Sequence, residues 1–188
     1  MEETKQWESL KAGNINALEA LYNHHTDELY RYGMVLCQEP DKVKDCIHDL
    51  FVYIWNVRER LNIPDSSRAY LMVSLRRRLF EKGSKMDNMT QAMDSMDQPS
   101  ILTEGHEEKW IERENDESRQ LQLDKAMKQL SARQREIIHM KYYQQLDYEE
   151  IGKIMDLNYQ SARNLVNRAL SALRKEMTII ITILFLTN

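Results

Sequence analysis

Residues 156–175 read "DLNYQSARNLVNRALSALRK". The stretch opens on a turn signal and continues as a helical pattern whose two faces differ in kind. Ala162, Val166, Ala169, Leu170 and Leu173 fall on one side, with Leu165 at its margin. Gln160, Arg163, Asn164, Asn167 and Ser171 fall on the other. Just upstream, "DYEE" has the form of a capping box, with Asp147 as cap and Glu150 at the third helical position. The spacing predicts a short helix over Tyr148–Met155, a turn, and a long helix capped by Asn158. That is helix-turn-helix geometry, in which the second helix enters the major groove of DNA. Gly152 lies inside the first helix, where a small side chain is expected to let two helices cross closely. Arg pairs bidentately with guanine, and Asn and Gln pair with adenine. An ordinary amphipathic helix with a solvated polar face has the same pattern, so this motif alone leaves both readings open.

The whole chain favours helix over sheet. It has 188 residues, of which 42% are hydrophobic and 30% charged, with only 5 Gly and 3 Pro. Cys37 and Cys46 stand in helical-looking segments and read as buried reduced thiols rather than a disulfide framework. The N-terminus, "MEETKQWESLKAG", is acidic and polar, unlike a signal peptide, so the expected location is the cytoplasm. The C-terminus, "MTIIITILFLTN", is apolar but short of the roughly 20 residues that a membrane span needs. It reads as a last helix or extended tail packed on its domain, with a partner-docking or membrane-surface tail as the alternative.

A net charge of -4 argues against a nucleic-acid binder until it is divided along the chain. Residues 1–82 hold 12 basic and 13 acidic side chains, residues 83–120 hold 4 and 10, and residues 121–188 hold 10 and 7. The acid is concentrated in the middle, and local charge governs docking on phosphates.

Two helical blocks flank that acidic joint. From Asn14 to about Lys82, apolar residues recur at three- and four-residue steps: Ala17, Leu18, Leu21, Tyr22, Leu29 and Tyr32. A second helix is expected from Asp41 to about Leu61. Ile47, Leu50, Phe51 and Ile54 lie on one face, and Asp45, His48 and Asp49 on the other. Pro64 breaks this pattern, and Asp65, Ser66 and Ser67 supply caps for a third helix that ends before Gly83. Residues 83–120 show no sustained apolar stripe and read as a flexible acidic linker, with helix near Trp110. Met86, Met89, Met93 and Met96 sit at helical spacing there, in flexible chain or as a partner-binding stripe. The last block opens on "SARQ", a capping box that places Ser131 ahead of a helix carrying Ile137, Ile138 and Met140. The expected fold is all-α, with two small helical domains (1–82 and 121–188) joined by the linker 83–120, the second domain a helix-turn-helix.

"DKVKDCIHDLFVYIW" resembles the polymerase-binding helix of bacterial sigma-70 factors of the extracytoplasmic-function group. Asp41, Asp45, Phe51 and Trp55 match family positions, and Asp49 stands where the family has an acid. His48 stands where Gln is common. "SSRAYLMVSLRRRLFEK" is similar to the promoter-melting region that follows, with Arg77 in place of a frequent Asn. Residues 130–174 are similar to the family's C-terminal domain, with Gly152 for a usual Ala and Asn158 for a usual Ser. The "SLRRRL" and "YQSARNLVNRAL" phrasing resembles members from Bacteroidetes-type bacteria.

The resemblance implies a factor that binds core RNA polymerase, recognises promoter elements at -35 and -10, and helps melt the DNA. Asp45, His48 and Asp49 would dock on the clamp of the polymerase, while Phe51 and Trp55 hold the core; the C-terminal domain would meet the flap. Asn62, Asp65, Ser66 and Ser67 would hydrogen-bond a flipped base of the -10 element, and Arg68, Arg76, Arg77 and Arg78 would hold the single strand. Three adjacent arginines cannot share one helix face, so at least one is expected to serve packing or a carboxylate. Gln160, Arg163, Asn164, Asn167 and Arg168 would read the -35 element, with Tyr159 on phosphate or packed at the turn. The acidic linker would thread polymerase channels, and an anti-sigma factor is a further implied partner. A helix-turn-helix regulator that acts without polymerase is the alternative. Nothing points to an enzyme, a cofactor or a metal. His24 and His25 are adjacent and face different ways, so they make a poor ligand pair.

Overall fold

The computed structural model describes residues 2–84 and 122–186, with side chains for 3–81 and 122–177. The expected linker, including Trp110 and the four spaced methionines, lies outside the described residues. All regular structure among the described residues is helical.

The N-terminal unit begins with α1 (Glu2–Lys11), a helix that the apolar pattern from Asn14 onward did not announce. Its contribution is Trp7 and Leu10, both buried. The Trp7 indole N–H donates to Ser67 Oγ at 2.7 Å, and the Ser67 hydroxyl donates to Glu3 Oε2 at 3.0 Å. The Trp7 ring meets Tyr70 edge-on at 5.6 Å, and Lys11 Nζ donates to the Leu61 carbonyl at 2.6 Å. The helix is thereby tied across the loop that precedes α4.

Asn14 caps α2 (Ile15–Leu36), its side chain accepting from the Asn16 N–H at 3.0 Å. Ala17, Leu21, Leu29 and Tyr32 are its buried stripe. Pro40 begins α3 (Pro40–Val57), where its missing N–H costs nothing. Val43, Cys46, Ile47, Leu50, Phe51 and Ile54 of α3 are buried, and a 3-10 turn (Arg58–Arg60) follows. Where α2 crosses α3, a Cβ on Gly33 would stand 2.5 Å from Val43 Cγ1, so the close approach depends on glycine. Trp55 departs from expectation. It is only half-buried at the helix end, with the Arg58 guanidinium 4.4 Å above its ring, while Phe51 alone enters the core. After the break at Pro64, Ser66 Oγ accepts from the Ala69 N–H at 3.2 Å and starts α4 (Ser67–Ser84), which continues over Gly83.

The C-terminal unit contains α5 (122–128), α6 (Ala132–Ile138), α7 (Tyr148–Met155) and α8 (Tyr159–Leu186). Both expected capping boxes form, Ser131 with Gln134 and Asp147 with Glu150. A π turn over His139–Tyr143 continues α6, its widened step closed by the Gln144 N–H on the His139 carbonyl at 3.0 Å. Ile151, Ile154 and Met155 of α7 share one core with Ala162, Val166 and Ala169 of α8. The apolar C-terminal stretch continues α8 as helix to Leu186. The two units are docked on each other: α4 lies against α7, and α2 against α6 and the π turn.

Asp156, at φ 55° and ψ 54°, ends α7 in the left-handed region, and the Leu157 N–H returns to the Gly152 carbonyl at 2.9 Å. The expected reason for Gly152 needs correcting here. A Cβ there would stand 2.5 Å from the backbone oxygen of Leu157, and no atom of a crossing helix comes as near. Glycine is needed because the turn folds back on its own helix. Gly152→Ala is therefore expected to destabilise the C-terminal unit by about 1–3 kcal/mol, since a carbonyl cannot rotate away as a side chain can. Urea unfolding followed by circular dichroism measures it, and an unchanged midpoint would show that the turn relaxes freely.

Candidate nucleic-acid interface

The turn presents α8 as the sequence pattern requires. Asn158 Oδ1 accepts from the Ser161 N–H at 2.7 Å, which sets the helix start. Ala162, Val166 and Ala169 face the core, so Gln160, Arg163, Asn164, Asn167 and Arg168 face solvent together. Gln160 Nε2 donates to Asn164 Oδ1 at 3.3 Å, which holds two amide groups side by side on the outer face. Such a row offers donors and acceptors of the kinds that pair with base edges. Tyr159 is 51% exposed while its ring packs edge-on against Tyr148 at 5.4 Å. It is held at the turn with its outer side still open.

The N-terminal candidates divide into three groups. Asp45 and His48 are exposed on α3 beside the half-buried Asp49, and the exposed side chains of Val52 and Tyr53 extend that face, an apolar addition the charge pattern concealed. In the loop and on α4, Asn62, Asp65 and Arg77 face solvent and Ser66 is half-buried as a cap. Arg78 lies 4.8 Å over the exposed Tyr53 ring. Ser67, by contrast, is only 1% exposed, with its hydroxyl engaged by Trp7 and Glu3. It fastens the loop from below rather than lining its surface.

Arg68 and Arg76 make up the third group, and both reach into the C-terminal unit. Arg76 Nε donates to Glu136 Oε1 at 2.9 Å, so the arginine row does include a carboxylate partner. The Tyr32 hydroxyl donates to the same Glu136 oxygen at 2.8 Å. Burial, reinforced by the adjacent Glu136 carboxylate, holds the Tyr32 phenol well above its ordinary range, so it remains a donor. Arg68 Nη2 donates to the Gln144 carbonyl at 2.6 Å and also pairs with Glu28. Neither Glu136 nor Tyr32 was legible as an interface residue. One sits as a lone acid in a short helix and the other in an apolar stripe, 104 positions apart in the chain.

Among the described residues, no group of His, Cys, Asp and Glu is placed to hold a metal ion, and no helix is long and apolar enough to cross a membrane. Cys46 is buried and Cys37 half-buried, and neither forms a disulfide.

The regular structure of the described residues is all helical, and α7, its turn and α8 form a helix-turn-helix whose outer face carries exposed Arg, Asn and Gln. Residues 120–173 match the family model described as sigma-70, region 4. Among solved structures, the chain resembles that of CnrH in complex with the cytosolic domain of CnrY. The TM-score is 0.66 at 14% identity, over 95% of this chain and 99% of that one. It also resembles the sigma factor RpoE in complex with the anti-sigma factor NepR from Bartonella quintana, with a TM-score of 0.63 at 19% identity. That match covers 86% of this chain and 96% of that one. A sequence comparison with curated proteins returned no match. Residues 120–173 therefore carry a sigma-70 region 4, and the chain as a whole shares the fold of these two solved structures.

His139, in the π turn, stacks on Tyr143 with ring centres 5.5 Å apart. Burial and, secondarily, the Arg31 charge on α2 lower its pKa to about 4. It is therefore neutral in the docked structure at pH 7. Because the docked form resists protonation, its stability is complete above pH 6.5 and is lost as pH falls from there through about 4. His139→Phe is expected to flatten the fall of melting temperature over that window. The difference should reach at least about 1 kcal/mol, given 1.36 kcal/mol per pKa unit and a partial discount for solvent. Parallel melting curves for both proteins across the window check this, and identical slopes would remove His139 as the cause.

Proposed function

We propose that this factor carries core RNA polymerase to promoters in the cytoplasm, reading the -35 element with α8 and the melted -10 element with the loop and helix that begin at Asn62. The observation that carries this reading is the solvent-facing row Gln160, Arg163, Asn164 and Asn167, within the segment that matches sigma-70 region 4. Arg168 and Tyr159, both exposed, flank the row as phosphate contacts of this reading.

The acidic face of α3, Asp45, His48 and Asp49, then meets the polymerase clamp, where acids find basic partners and Val52 adds apolar contact. The C-terminal unit meets the flap. Asn62 and Asp65 offer polar groups to a base out of the stack, with Ser66 and Ser67 shaping the loop, and Arg77 and Arg78 follow the strand with Arg68 and Arg76. Tyr53, beneath Arg78, supplies an aromatic surface beside them. An anti-sigma factor is a further partner of this reading. Both solved structures named above are complexes, one of them with a protein called an anti-sigma factor.

The test is run-off transcription on fragments of the chain's own genome, using purified core polymerase with and without the factor. Promoter-specific transcripts that require the factor are expected. DNA binding without polymerase binding or transcripts would instead indicate a regulator acting alone. On a promoter so found, Arg163→Ala is expected to weaken recognition at one base position by about 1–3 kcal/mol, the value of a bidentate base contact. Equal losses on matched and mismatched promoters would reassign Arg163 to phosphate.

A further inference from the structure

Two of the four arginines assigned to the melted strand are held by the C-terminal unit. Glu136, 1% exposed, receives Arg76 Nε at 2.9 Å and the Tyr32 hydroxyl at 2.8 Å on one oxygen. Beside it, the Gln144 carbonyl receives Arg68 at 2.6 Å. Helices α2 and α4 are thus joined to α6 and the π turn through polar contacts that are buried at Glu136 and partly buried at both arginines. The outer row of α8 stays open in the same arrangement.

We propose that Glu136 is an autoinhibitory latch. Its carboxylate closes the two helical units on each other and occupies the arginine that a strand phosphate takes in the open state. The proposal rests on the reading of the α4 arginines as strand contacts. A carboxylate and a phosphate suit the same guanidinium donors, so they compete for Arg76 rather than share it. While the units stay docked, an acid this buried needs both partners, so Tyr32 and Arg76 hold the latch as a unit. Residues 85–121 connect the units and keep them at high local concentration, while at roughly 3.3 Å per extended residue they also allow separation. The closed protein keeps its duplex-reading helix and Arg77 available and withholds Arg68 and Arg76. A partner that binds the open form better, polymerase or single-stranded DNA, shifts the population.

The experiment uses the full chain. Small-angle X-ray scattering gives the radius of gyration, and anisotropy of a fluorescein-labelled single-stranded oligonucleotide gives strand affinity. Glu136→Ala, with helicity unchanged by circular dichroism, is expected to enlarge the radius of gyration and tighten strand binding about tenfold, the factor regained when an open state held near one-tenth becomes dominant. Glu19→Ala removes the same charge from an exposed position on α2 and is expected to change neither. If Glu136→Ala does not fold, Glu136→Gln, which keeps the shape and loses the charge, carries the same expectations. An unchanged radius of gyration in a folded variant overturns the latch. A larger radius with unchanged strand affinity confirms the closure but overturns the competition for Arg76, and with it the strand reading of α4.

Discussion

A carboxylate taken out of water must find its partners inside the protein, and Glu136 finds them on two helices of the other unit. Tyr32 and Arg76 converge on a single oxygen. Removing either partner from a buried acid costs about 3–5 kcal/mol in comparable settings. The contact therefore selects one docking geometry among the many that apolar faces alone would permit. With α6 placed this way, α4 meets α7, Arg68 reaches the Gln144 carbonyl, and His139 is half-buried within reach of the Arg31 charge. A hydrophobic interface would have been more tolerant of slippage, and a looser one would have left the α4 arginines in solvent.

Within each unit the constraints are simpler. The N-terminal helices converge on Leu21, Leu29, Ile47, Leu50, Ile54, Leu71 and Leu75, all buried. Trp7 and Ser67 add a hydrogen bond that anchors α1 beneath the loop. In the C-terminal unit, the turn between α7 and α8 is held by Asp156 in the left-handed region and by glycine at 152. Those two residues set the angle at which α8 leaves the core, and the angle sets which side chains form the outer row.

Local chemistry made much of this legible. Capping at Ser131, Asp147 and Asn158 depends on a side chain and N–H groups two or three positions away, so the pattern alone identifies it. The same holds for the inward stripe of α8 and for the exposed acids of α3. The misses are of another kind. Helix α1 carries only two core residues in an otherwise polar segment, too few for a period to show. Ser67 looked like a surface cap because its partner, Trp7, lies 60 positions away. Trp55 looked like core, yet the helix ends before its ring turns fully inward.

The amino-acid order by itself determined most of the helices after α1, their caps, the turn of the helix-turn-helix and the face that α8 shows to solvent. Each follows from spacing within a few residues, where backbone geometry leaves little choice. The tertiary structure alone decided which arginines of α4 are open, why residue 152 is glycine, and that Glu136, Tyr32 and His139 matter at all. Those outcomes depend on groups brought together from distant parts of the chain. Burial and pairing, which no local pattern encodes, change what the same side chain does.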